Sequence, residues 1–112
     1  MSARSLGGAR MKMKTNRSYK YREIAGKYYL IPTGEAAEKS VIPLELTETA
    51  AWIWTRIEQG ASKEDIIPLM VEEYDIDVTI AERAVGQFVG ILLDQGMITE
   101  VPNEKRSDRQ TP

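Results

Sequence analysis

The densest chemistry in this chain is a run of carboxylates, Glu72-Glu73-Tyr74-Asp75-Ile76-Asp77. Oxygen donors at that density suit a hard cation such as calcium or magnesium. The spacing does not, because a calcium-binding loop needs a glycine at its bend and a closing glutamate, and this run has no such glycine. It reads as the solvated acidic end of a helix. The chain also has no histidine and no cysteine. That removes the imidazole general base, the thiol nucleophile, the disulfide and the thiolate zinc site. A serine hydrolase triad would lack its usual base. Asp, Glu, Lys, Tyr, Ser and Thr remain, and the balance favours a binding module over an enzyme, with no metal and no cofactor.

Three further features could carry recognition. Gly86-x-x-x-Gly90 matches neither a dinucleotide nor a phosphate-loop spacing, and would serve only to let another backbone approach a helix. Trp52 and Trp54 are two apart and so leave a helix on different faces. Trp54 belongs with the core, and Trp52 is expected either partly exposed or packed under a sheet. The third feature is Val41-Ile42-Pro43-Leu44-Glu45-Leu46, a short apolar segment. Pro43 cannot donate to a ladder, which makes the segment an edge strand rather than a central one. An apolar sheet edge is the geometry that captures an extended peptide by strand addition. The bland reading is an edge capped by a loop or by a second copy of the chain.

Positioning these residues requires strands first and helices after. Tyr19 to Ile24 alternates apolar and charged residues with a strand's period of two. Ala25-Gly26 supplies a turn, Tyr28 to Ile31 a second strand, and Pro32-Thr33-Gly34 its stop. Glu35 to Lys39 reads as a polar loop before the edge strand 41–46. Thr47 is an N-cap for a helix over Glu48 to Glu58, whose apolar stripe is Ala50, Ile53, Trp54 and Ile57. Gln59-Gly60 ends it. Ser62 to Asp65 is a capping box for a helix presenting Ile66, Leu69, Met70 and Tyr74, in which Pro68 predicts a kink or a shortened first turn. Thr79-Ile80-Ala81-Glu82 looks like a second capping box. Ala81, Ala84, Val85, Phe88 and Leu92 line the following helix to Gln95, with Gly96 just beyond. Met97-Ile98-Thr99 is a short strand or an extended exit. Three strands followed by three helices give an α+β class.

Charge divides the chain. Its net −2 over 112 residues hides seven basic residues and no acid in 1–22, and a balance of −10 in 23–102. Residues 1–18 read as a disordered basic arm, and Met1, Met11 and Met13 are alternative starts, which leaves open whether all of it is native. Residues 19–102 form the domain, and 103–112 a polar frayed tail. A helix-turn-helix order invites DNA binding, yet the last helix offers only Arg83 and Gln87 beside Glu82 and Asp94, and phosphate repels an acidic domain. No apolar run approaches the ~20 residues that span a bilayer, and no apolar signal core opens the chain. A cytoplasmic protein is expected, with no membrane and no nucleic-acid partner.

The ordered motifs resemble the coenzyme PQQ synthesis protein D (PqqD) family. Leu46-Thr47-Glu48-Thr49-Ala50-Ala51-Trp52-Ile53-Trp54 is similar to that family's Leu-Asn-x-Thr-Ala-x-x-Ile-Trp signature, with Thr47 in place of Asn. Gly60 with Ser62-Lys63-Glu64-Asp65-Ile66, then Tyr74-Asp75-Ile76-Asp77, then Phe88-Val89 through Leu92 to Gly96-Met97-Ile98, follow in order. The likeness spans about residues 20–99. It implies a winged-helix-turn-helix-like domain with a three-stranded antiparallel N-terminal sheet followed by three helices. Such domains are recognition elements for ribosomally made, post-translationally modified peptides, and act as peptide chaperones. They are not enzymes. They bind the leader of a precursor peptide and deliver it to a modifying enzyme, often a radical SAM enzyme. The resemblance places the leader as a strand beside Val41, Ile42, Pro43, Leu44, Glu45 and Leu46, packed on Arg83, Ala84, Gln87, Phe88 and Ile91. The expected partners are therefore a precursor peptide and its modifying enzyme, the chain itself being a monomer or homodimer. The alternative is a helix-turn-helix DNA-binding regulator using the basic arm.

Overall fold

A computed structural model describes residues 11–102; the expectations for residues 1–10 and 103–112 lie outside the described residues. In chain order the elements are β1 (Met11–Thr15), β2 (Tyr19–Ile24), β3 (Lys27–Pro32), α1 (Gly34–Lys39), β4 (Leu44–Leu46), α2 (Glu48–Glu58), α3 (Lys63–Tyr74), α4 (Val78–Asp94) and β5 (Ile98–Pro102). The class is α+β, with two antiparallel sheets among the described residues, β1–β5 and β2–β3–β4.

The β2–β3 hairpin follows from its turn. Ala25 and Gly26 have φ of 52° and 81°, the left-handed pair that a two-residue hairpin turn demands, and glycine takes the second place without penalty. Tyr21, Leu30 and Leu44 lie opposite one another, as do Glu23, Tyr28 and Leu46, so one face of the sheet is apolar except for Glu23 on β2. Leu30 is fully buried there, and Tyr21 and Tyr28 stack beside it at 6.3 Å. The other face carries Lys20, Arg22, Ile24, Lys27, Tyr29, Ile31 and Glu45.

Local chemistry also fixes the helices. Thr47 accepts from the Ala50 N–H at 3.0 Å and starts α2. Ser62 and Asp65 exchange the two bonds of a capping box at 3.0 and 3.2 Å and start α3. Ala51, Ile53, Trp54 and Ile57 of α2 are buried with Ile66 and Met70 of α3 and Ala81, Val85, Val89 and Leu92 of α4. Trp54 is at the centre with no exposed surface, and its Nε1–H has no partner among the described residues.

Several expectations are corrected. The segment 11–18 is not all arm. In Lys12-Met13-Lys14 the methionine turns inward (2% exposed) and the lysines outward, and β1 pairs with β5 in register Thr15 to Ile98. Asn16 ties the same end down, donating from its backbone to the Met97 carbonyl and from its side chain to the Gly96 carbonyl. The exit after α4 is therefore a true strand. Three cations of the expected arm, Lys12, Lys14 and Arg17, belong to the folded unit, whose balance over 11–102 is ten basic against fifteen acidic residues, a net of −5. Glu35–Lys39 is not a loop but most of α1, where Ala36 is buried. The third strand of the sheet is only Leu44–Leu46, because Val41 to Pro43 stay outside the ladder. Pro68 does not shorten α3, which runs unbroken from its cap through that residue. The cap of α4 is Asp77, accepting from the Thr79 N–H at 3.0 Å, rather than Thr79 itself. Finally, a Cβ at Gly86 or Gly90 would meet nothing within 4 Å, so no described backbone approaches α4 there.

Candidate functional site

The sheet β2–β3–β4 leaves one side of β4 unpaired. In a two-residue hairpin the residues flanking the turn form a hydrogen-bonded pair, so Ile24 and Lys27 exchange both backbone bonds. The same phase appears at the hairpin's far end, where the Thr33 N–H donates to the Ser18 carbonyl at 2.7 Å. Alternate residues of β3 therefore turn toward opposite neighbours. Lys27, Tyr29 and Ile31 face β2, and Tyr28 and Leu30 face β4. Through the register Tyr28 to Leu46 and Leu30 to Leu44, the backbones of Leu44 and Leu46 are engaged with β3. Glu45 is then the β4 residue whose N–H and C=O both point to the open side.

The chain before this edge is apolar and unburied. Val41 and Ile42 are 72% and 74% exposed, and Leu44 keeps 37% of its surface open. Leu46 is different: it is buried, and shares one core with Ala81, Val85 and Val89 of α4. Of the segment expected to meet a ligand, Leu46 thus offers neither side chain nor outward backbone, and Val41, Ile42 and Pro43 lie on an irregular approach to β4. Glu45 points its side chain to the outer face and meets Lys27 Nζ at 3.8 Å.

On α4 the named residues separate by depth. Ala84 and Phe88 are half-buried and pack on the core, whereas Arg83, Gln87 and Ile91 are exposed, Ile91 by 53%. Ile80, 54% exposed, was missed. It stands one turn before Ala84 and two before Phe88, so the spacing i, i+4, i+8, i+11 through Ile91 was there to be read. The result is an apolar stripe along one flank of α4, open at Ile80 and Ile91 and half-covered at Ala84 and Phe88, while the adjoining flank fills the core.

The other candidates resolve into structure. Glu72, Glu73 and Tyr74 end α3, Asp75 is its left-handed cap at φ 54°, and Asp77 caps α4. Among the described residues no group of three acidic, histidine or cysteine side chains is placed to hold a metal ion. Two bonds from Thr79, backbone and side chain, hold the Asp77 carboxyl below its ordinary 3.8. Trp52 is half-buried against Tyr74, edge to face at 5.6 Å, with the Arg56 guanidinium 4.6 Å over its ring. Burial pushes the Tyr74 hydroxyl up, and its hydrogen bond with Thr49 opposes that. This cluster clamps α2 to α3.

The sequence matches the family described as Coenzyme PQQ synthesis protein D (PqqD) over residues 37–98, more than half of the chain. The chain belongs to the PqqD family. The matched span runs from α1 to the first residue of β5 and leaves the β2–β3 hairpin outside, a narrower extent than the motifs alone suggested. Two solved structures share the fold of this PqqD-family chain. One is a lasso peptide synthetase B1 complexed with the leader peptide, at TM-score 0.66 and 24% identity, covering 78% of this chain and 96% of that one. The other is TbiB1 in complex with the TbiA(beta) leader peptide, at TM-score 0.64 and 20% identity, covering 76% and 93%. No curated protein matches the sequence. No helix among the described residues is long and apolar enough to cross a membrane.

Proposed function

We propose that this chain is a non-enzymatic binding protein that captures the leader segment of a ribosomally made precursor peptide and presents it to a modifying enzyme. The leader adds as a strand to the open side of β4 and lays apolar side chains against the stripe Ile80, Ala84, Phe88 and Ile91. Main-chain bonds supply affinity and alternate side chains supply specificity. The observation that carries the reading is an apolar, uncovered sheet edge in a PqqD-family fold, whose likeness extends to two domains holding leader peptides. A chain of this kind needs neither imidazole nor thiol, which fits its composition. The resemblance supports a radical SAM or other peptide-modifying enzyme as the partner, and the cytoplasm is proposed as the setting. A DNA regulator finds less support. The exposed flanks of α4 carry Glu82 and Asp94 as well as Arg83 and Gln87, and a net of −5 repels phosphate.

The test is a search for a short precursor frame beside the gene, followed by titration of the full chain with that precursor's labelled leader, its core half and a duplex DNA. The expected result is saturable binding of the leader alone, with sedimentation separating peptide capture from simple dimerisation. Salt-sensitive binding of the duplex, lost on removing residues 1–10, together with no binding of the leader, would establish the regulator instead. Truncation has to stop there, since β1 begins at Met11.

A further inference from the structure

The phase of the sheet says more than that a peptide can be added: it says what the peptide must carry. We propose that the captured segment presents a basic side chain directly opposite Glu45, between two apolar side chains, so that this chain selects an apolar–basic–apolar triplet. The inference rests on the leader-capture reading above.

Glu45 is the one β4 residue with both backbone groups turned to the open side, by the pairing of Leu44 and Leu46 with β3. A strand added antiparallel therefore forms a hydrogen-bonded pair with Glu45, at a Cα separation of about 5.5 Å. Directly opposite residues share a face, so the incoming side chain stands beside the Glu45 carboxylate on the outer face of the sheet. Its two neighbours turn the other way. One stands opposite Leu44, which keeps 37% of its surface open on that face, and the other opposite the buried Leu46, both pointing toward the helical layer.

Glu45 is the only charged residue of β4. Among the described residues its one close cation is Lys27, at 3.8 Å and with both side chains more than half exposed. That distance lies outside the hydrogen-bond range, so the carboxylate keeps acceptor capacity for a second cation. A lysine or arginine on the added strand would complete a row of alternating charge, Lys27, Glu45 and peptide. An acidic residue there would face a like charge directly across the ladder, which is destabilising. The backbone cannot supply this discrimination. Pro43, two residues before Glu45 in the same phase, has a carbonyl but no N–H, so the open edge has few ladder bonds to give.

The experiment selects random dodecapeptides, displayed as a library, on the full chain and on its Glu45→Lys and Glu45→Gln variants. Selected peptides are then synthesised, titrated, and mapped by amide exchange at residue 45. The expected wild-type consensus is a basic residue between two apolar ones. Glu45→Lys turns that position acidic and Glu45→Gln removes its charge preference, with about a two- to fivefold change in affinity for a Lys-to-Glu swap in the peptide. Peptides that slow exchange at Glu45 yet show no charge preference, or that stay basic on Glu45→Lys, overturn the inference and leave leader capture standing. A library whose binders all leave Glu45 unprotected, or that yields no binder, overturns both.

Discussion

Replacing Leu44 by aspartate separates the binding edge from the fold that supports it. Fully burying a leucine is worth about 1.5–3 kcal/mol. Leu44 is 37% exposed in the free chain, so covering it with peptide stabilises the complex by about 0.6–1.1 kcal/mol. An aspartate loses that term and adds a polar group facing an apolar contact, for a further ~1–3 kcal/mol. The expected loss is about 2–4 kcal/mol, roughly thirtyfold or more in Kd. The fold loses the share of burial Leu44 already has, about 1–2 kcal/mol, against a total of about 5–15 for a domain. Far-ultraviolet circular dichroism and a urea midpoint establish that the variant is folded, and fluorescence anisotropy with the leader peptide gives the Kd. Leu44→Ala serves as the control, expected to weaken binding about three- to sixfold. A folded Leu44→Asp chain that binds within twofold of wild type would refute the placement of the peptide against this edge.

Other outcomes follow from the same structure. Met13→Ala should cost about 2–5 kcal/mol in urea denaturation, because Met13 is buried between β1 and the core; a change below about 0.5 would return residues 11–15 to the status of an arm. Reversing Arg83 to glutamate should leave the urea midpoint in place, since the side chain is exposed on α4, while weakening leader binding measurably; equal binding removes Arg83 from the contact. Asp77 is held below its ordinary carboxylate value in the native state. Its contribution to stability is thus complete above about pH 4 and fades as pH falls through the depressed native value. Asp77→Asn, which keeps a capping side chain, should flatten that part of the acid unfolding curve, and an unchanged curve would show that Asp77 does not supply it.

What could be read from the sequence was whatever local chemistry decides. The Ala25-Gly26 turn, the Thr47 cap and the Ser62–Asp65 box each act within a few residues, and the structure keeps all three. The strand β1 could not be read that way. It shows a single inward methionine between two lysines, and its partner β5 lies at the other end of the described chain. Only that long-range pairing makes the alternation meaningful. The cap of α4 was ambiguous because Asp77 and Thr79 are both good capping residues; the structure uses the first to bind the N–H of the second. The edge strand was legible as an apolar segment with a proline, but not its length or phase. Those depend on β3, whose register leaves Val41 to Pro43 unpaired and turns Glu45 outward. Ile80 escaped notice because core-forming residues dominate the α4 pattern, and the partly open stripe is a second, weaker period laid over the first.

The most direct measurement is amide hydrogen exchange across the β2–β3–β4 sheet, with and without saturating leader peptide. In the free chain Leu44 and Leu46 should already be slow, held by β3, and Glu45 fast. Strand addition predicts that the leader slows Glu45 while leaving Leu44 and Leu46 as they were. Protection that appears instead at Tyr21 and Glu23, outward residues of β2, with Glu45 still fast, would contradict capture at β4.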